Sequence, residues 1–326
     1  MTGLRPPPTS DAPSRVVVRM LVLLLLLLAV GVVVWSVVTN QRIRLTETTP
    51  HEDVELAGPA LIDGMTINVV HDGLGSQPVI LLHDFDVAGG VLWDAVVAEL
   101  GGDVTAVRID LPGLGLSSRL PAEGPEHTVA SMAATVREIV AQRFADQPVL
   151  FVGVGLGGEV AAEIAVTDPD VVLGLVLIDV DFDRSAGWIE TVERLPIVGV
   201  AATFTLEGGG SQSSSTWAPN CTEGGWCPTP AQSEARDRAA QIRDTTDSLR
   251  AFRRTPPSSF VPSNLDEVIA PTVYIWSTEG VVPREGVDLV TDAIPGVEVI
   301  EVDVWKAHLE RADVVAAAVL SLPEGS

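Results

Sequence analysis

The sequence predicts an α/β fold: a mostly parallel, doubly wound sheet with an inserted lid, preceded by one transmembrane helix. Three observations carry this. Short β-branched runs alternate with stretches of helical spacing from about residue 60 to the C-terminus. That alternation is the signature of a parallel sheet covered on both faces. A long uncharged run lies near the N-terminus. A glycine-rich strand-to-helix turn, Gly153-Val-Gly-Leu-Gly-Gly158, sits in the middle of the alternating region.

The uncharged run is Met20 to Val38, MLVLLLLLLAVGVVVWSVV. As a helix it rises about 28 Å, close to the roughly 30 Å of a bilayer core. It is longer than the apolar region of a cleavable signal, and no small-x-small site follows it. It therefore reads as a signal anchor over residues 16–39, after a proline-rich disordered tail over residues 1–15. Arg5, Arg15 and Arg19 precede it and Arg42 and Arg44 follow it. The excess places the N-terminus inside the cell and the C-terminal domain on the extracytoplasmic face. Residues 40–59 read as a stalk.

Within the domain, 60–326, the predicted strands are Met65–His71, Val79–Leu82, Val104–Ile109, Val149–Val152, Val171–Ile178, Thr272–Trp276 and Val297–Val302. The predicted helices are Val91–Leu100, Val129–Phe144, Leu156–Val166 and His308–Leu322. The interruption at about 183–262 reads as the lid. It holds a Gly/Ser-rich stretch, Gly208–Ser215, a cysteine loop, and a charged helical segment, Gln232–Arg254. Cys221 and Cys227 are the only cysteines, and their spacing suits a small disulfide loop in an oxidising compartment.

The net charge of −24, with Lys306 as the single lysine, excludes nucleic acid as a partner. The expected partners are the membrane, through the N-terminal helix, and a small apolar ligand or a protein. No cofactor and no metal site is expected.

Ligands bind at the C-terminal ends of the strands in such sheets. Four segments stand there: His83-Asp84-Phe85, the turn Asp110-Leu-Pro-Gly-Leu-Gly-Leu-Ser-Ser118, the glycine-rich turn, and His308-Leu-Glu-Arg311. Together, in that order, they resemble the α/β-hydrolase superfamily, in the branch with a His-Gly-Phe loop. The resemblance covers about Leu61 to Leu322. It implies that the glycine-rich turn is the elbow presenting a nucleophile in the pattern G-x-S-x-G. Here that pattern reads Gly153-Val154-Gly155-Leu156-Gly157, so the tip has no side chain and cannot form an alkoxide. The resemblance also places the oxyanion-hole region at Asp84, Phe85 and Leu156, where Asp84 replaces a glycine and would oppose an oxyanion. Counting back five from Glu310 puts Trp305 at the catalytic-histidine position. Counting back four from Pro283 puts Glu279 at the acid position. His308 lies about one helical turn beyond Trp305.

Two functions follow. One is a domain without serine-hydrolase activity that binds a small apolar ligand or a protein partner. The other is an active hydrolase in which His308 and Glu279 activate water. His83, Asp110, Ser117 and Ser118 read as loop-forming, Asp179 and Asp181 as solvated loop acids, and Glu159 and Glu163 as an exposed helix face.

Overall fold

A computed structural model describes residues 15–102, 104–121, 128–145, 147–182, 191–192, 195, 198–206, 218, 221, 225–254 and 263–324. The tail over residues 1–14 and the Gly/Ser-rich stretch of the lid lie outside them.

The chain starts with α1, Arg15–Thr46. A small hairpin follows, β1 (Ala60–Ile62) with β2 (Met65–Ile67). The main sheet uses β3 (Val69–Asp72), β4 (Gln77–Leu82), β5 (Val104–Ile109), β6 (Val149–Val154), β7 (Val172–Ile178), β8 (Thr272–Ser277) and β9 (Glu298–Val302). Its order is β3-β5-β4-β6-β7-β8-β9. Only β3 runs antiparallel to its neighbour. The predicted strand Met65–His71 is thus two strands that belong to different sheets.

Helices cover both faces. They are α2 (Asp94–Leu100), α3 (Val129–Phe144) and α4 (Leu156–Thr167) before the lid. The lid contributes α5 (Val198–Leu206), α6 (Pro230–Ala240) and α7 (Thr245–Arg254). Then come α8 (Arg284–Ala293), α9 (Ala307–Glu310) and α10 (Ala312–Ser321). The predicted last helix is broken at Arg311, whose φ of −133° is not helical. The predicted charged helix of the lid is broken at 241–244, just where the capping box of Thr229 and Gln232 has started α6 eleven residues earlier.

The central strands are apolar at consecutive positions because both of their faces are covered. In β4, Ile80 and Leu82 join one core with Val107, Val136, Phe151 and Leu177. Val79 and Leu81 point the other way, into a core with Trp93, Val152, Ile275 and Val319. This alternation fixes the register, since a one-residue slip would exchange the faces.

Two readings need correction. Glu159 and Glu163 are buried, each 3% exposed. They lie on α4, which is packed against β6, β7 and α3 and has no solvent side. The stretch read as a stalk is not a free tether. The apolar helix α1 runs on to Thr46, and Glu47 then accepts hydrogen bonds from the backbone N–H and hydroxyl of Thr246 in α7. Thr49 pairs with the turn between α6 and α7 through Gln241 and Arg243. His51 Nε2 hydrogen-bonds the Leu116 carbonyl at 2.9 Å.

Candidate functional site

The site is built on the C-terminal edge of the sheet, where β4, β6, β7 and β8 end side by side. The turn from β6 into α4 is tight. A Cβ on Gly157 would collide with the backbone carbonyl of Leu82 in β4, so only glycine lets the helix start this close to the sheet. Gly155 sits at the tip with φ +49° and ψ −116°. That is the strained region where a nucleophile is displayed by an elbow.

The space above Gly155 is filled by Asp84. A Cβ on Gly155 would lie 2.5 Å from the Asp84 Cγ and nearer still to its Oδ1. The same Oδ1 accepts a hydrogen bond from the Leu156 N–H at 3.0 Å. Leu156 is the first residue of α4, so a carboxylate from the loop after β4 caps this twelve-residue helix. The Leu156 N–H, expected from the sequence to belong to an oxyanion hole, is therefore engaged by the Asp84 carboxylate. The Asp84 carboxylate thus occupies the space that a side chain at position 155 would take.

That loop is held firmly. His83 is buried, and its Nε2 accepts from the Leu111 N–H at 3.0 Å. Its proton then sits on Nδ1, donated to the Asp84 carbonyl at 2.6 Å. Asp110 accepts from Gly90 N–H, Leu116 N–H and the Asn68 side chain. The Ser117 hydroxyl donates to the Asp110 carbonyl, and Ser118 Oγ accepts from the Thr66 N–H. These residues shape the loop around the site. Phe85 meets Phe252 of the lid edge-on, at 5.5 Å between ring centroids.

The remaining positions gather around β8 and β9. Glu310 Oε1 accepts from the N–H groups of Trp305 and Lys306, at 3.1 and 3.2 Å. This bracket fixes the loop that carries Trp305, whose half-buried ring lies 5.0 Å from the Lys306 ammonium. The Glu279 N–H bonds the Val304 carbonyl, so the acid-position loop lies beside the Trp305 loop. The Glu279 side chain itself is exposed. His308 is not beside it in chemistry: it is 1% exposed, packs on Trp93 at 5.4 Å, and its Nδ1 has no hydrogen-bond partner among the described residues. Burial, with Lys306 adding to it, pushes its pKa down to about 3, so the imidazole is neutral. No hydrogen bond joins Glu279 to His308.

One residue of the site is more than the solvated acid expected. Asp179 follows β7 with φ +48°. Its carboxylate accepts from the Ser277 N–H at 2.7 Å and from the Ser277 hydroxyl at 2.6 Å. Ser277 Oγ in turn accepts from the Ala307 N–H, tying β7, β8 and the start of α9 together. Burial raises the Asp179 pKa to about 6. The only sequence signal for it is a polar residue at the C-terminal end of a buried strand.

A cavity of about 320 Å³ lies to one side, lined by Asn68, Arg108, Asp110 and Arg238 among others. None of Asp84, Gly155, Leu156 or His308 lines it. Chemistry at the elbow has no use for it. Cys221 and Cys227 form a disulfide in the lid.

Comparison with known proteins agrees with this architecture. Residues 79–318 match the profile described as "Alpha/beta hydrolase family". A pimeloyl-[acyl-carrier protein] methyl ester esterase of Salmonella heidelberg is 34% identical over 118 residues, 36% of this chain and 42% of the esterase. The chain thus matches less than half the length of that relative. Among solved structures, epoxide hydrolase CorEH superposes with a TM-score of 0.64 at 19% identity, covering 81% of this chain and 97% of that one. The enol-lactonase of Burkholderia xenovorans LB400 gives 0.63 at 17% identity, with 81% and 98% covered. At such identities the likeness is one of fold.

Proposed function

The chain belongs to the alpha/beta hydrolase family, and from that premise we propose that it is a membrane-anchored member whose hydrolase site is silent and serves binding. The observation that carries this is the Asp84 carboxylate, seated on the Leu156 N–H directly above Gly155. An acyl-transfer site needs a nucleophile at the elbow and empty donors for the oxyanion. Here one is absent and the other is engaged. Trp305 at the histidine position adds a third departure, since an indole cannot relay a proton.

What remains is a rigid sheet edge under a lid, suited to a small apolar ligand or a protein partner. We place it on the extracytoplasmic face. The arginine excess before the apolar run and the Cys221–Cys227 disulfide support that side of the membrane. A retained helix is favoured over a cleaved signal because Ser36 and Thr39 of α1 are buried and Glu47 is locked to α7.

Similarity to an esterase supports a second reading, an active hydrolase using His308 and Glu279 on water. The burial of neutral His308 and the exposure of Glu279 weigh against it.

The test is reconstruction in the full-length chain. Gly155→Ser alone should give no p-nitrophenyl butyrate turnover and no labelling by a fluorophosphonate. Asp84→Gly, Gly155→Ser and Trp305→His combined should give both. Turnover by Gly155→Ser alone would show that neither Asp84 nor Trp305 blocks the site.

A further inference from the structure

We infer that the cavity beside the elbow is a binding site for a free amino acid with an aliphatic side chain, held by Arg238 at its carboxylate and by Glu55 at its ammonium group.

The cavity lies where three parts of the chain meet. Asn68, Arg108 and Asp110 stand at one end of the β3–β5 pair. Glu55 belongs to the segment between α1 and the sheet. Ala235 and Arg238 belong to α6, so the lid forms one wall. The volume of about 320 Å³ is at the small end of ligand sites, which suits a small molecule.

The polar groups of the floor are committed to one another. The Arg108 guanidinium is shared between Asp72 at 2.8 Å and Asp94 at 2.6 Å, so it is not an anion site. Asp110 Oδ1 accepts from the Gly90 N–H at 2.6 Å. Its Oδ2 accepts from the Asn68 side chain and the Leu116 N–H, both at 2.9 Å. Asn68 Oδ1 accepts from the Ala57 N–H at 3.2 Å. A network satisfied in this way is rigid. It gives the cavity its shape.

Glu55 and Arg238 are different. Both are exposed, and both line the cavity. Among the described residues neither side chain makes an ion pair or a hydrogen bond, and they do not pair with each other. Two opposite charges therefore face one small space uncommitted. Arg238, in the last turn of α6, offers a planar fork of donors that matches a carboxylate. Glu55 offers acceptors to an ammonium group. A zwitterion satisfies both. A carboxylate without an amine would leave Glu55 and Asp110 as like charges beside it, and an amine without a carboxylate would meet Arg238. Leu56, Val70, Ala88, Val91 and Leu116 line the same cavity and give an aliphatic side chain apolar surface to cover.

The inference goes beyond the reading of the elbow and does not rest on it, since none of Asp84, Gly155, Leu156 or His308 lines the cavity. The experiment is titration calorimetry of the full-length chain in phosphatidylcholine nanodiscs, with empty nanodiscs as the blank. The probes are L-leucine, isocaproate, which lacks the ammonium group, and isoamylamine, which lacks the carboxylate. Leucine should bind, and each analogue should bind about tenfold more weakly or worse. Arg238→Gln and Glu55→Gln, both at exposed positions, should each weaken leucine about tenfold. No binding of leucine at millimolar concentration would overturn the proposal. So would leucine binding unchanged in either variant, or either analogue binding as tightly as leucine.

Discussion

Gly155→Ala should be far more damaging than a glycine-to-alanine change elsewhere, and Asp84→Gly should add no further damage in its presence. Two costs add at this position. A side chain at φ +49° and ψ −116° costs about 1–3 kcal/mol of backbone strain. A Cβ would also stand 2.5 Å from the Asp84 Cγ, so the carboxylate must leave the Leu156 N–H. Losing that charge-assisted bond costs about 1.5–3 kcal/mol. Asp84→Gly alone loses the same bond. In the double variant the bond can be lost only once. The sum of the single effects should therefore exceed the double effect by about 1.5–3 kcal/mol, well above the roughly 0.5 kcal/mol error of additivity. For a domain of this size that is about 3–12 °C in Tm. Thermal unfolding of the four full-length proteins, followed by tryptophan fluorescence in one detergent, measures it. Additive effects would refute the claim that these two positions compete for one space.

Three buried ionisable groups give the pH dependence. Burial raises Glu47 from 4.5 to about 7, so the folded state keeps a proton that the unfolded chain has lost. Its contribution is fully present below pH 4.5 and is lost as pH rises through about 7. Glu47→Gln should remove this slope, closing up to about 3 kcal/mol of wild-type loss between pH 4.5 and 8, as read by chemical denaturation at each pH. Asp179 adds to the slope in the same direction between 3.8 and about 6. His308 works the other way: its folded pKa of about 3 lies below the ordinary 6.5, so stability is lost as pH falls below 6.5. His308→Phe keeps the packing on Trp93 and removes that proton. The variant should gain on the wild type by about 1.4 kcal/mol per pH unit below 6.5 in the same titration. No change in acid sensitivity would mean that His308 titrates normally.

Much of the scaffold is legible in local sequence because it is set by local rules. The elbow shows itself through Gly153, Gly157 and Gly158, since a tight turn leaves no room for side chains. The bracket of Glu310 on the Trp305 N–H is local as well, spanning five positions. The strands of the central sheet appear as apolar runs because both faces are covered. What cannot be read locally depends on contacts across the chain. Asp84 reaches Leu156 across 72 positions, and nothing in His83-Asp84-Phe85 says that the carboxylate fills the elbow instead of facing a ligand. Glu159 and Glu163 have the spacing of a solvent face, and only the packing of α3 and the sheet around α4 buries them. The docking of α1 on α5 and of Glu47 on Thr246 joins segments more than 150 positions apart, so what reads as a stalk is part of the domain. Helix α8, behind Pro283, was hidden by a short and weakly apolar sequence, REGVDLVTDA.

The central claim is that a carboxylate fills the place of the missing nucleophile and leaves the site without hydrolytic power. Its most direct test is turnover of p-nitrophenyl esters, from acetate to decanoate, by the full-length wild-type chain beside His308→Ala and Glu279→Gln. The three proteins should be indistinguishable from the uncatalysed reaction at every chain length. Wild-type turnover that His308→Ala or Glu279→Gln abolishes would contradict it.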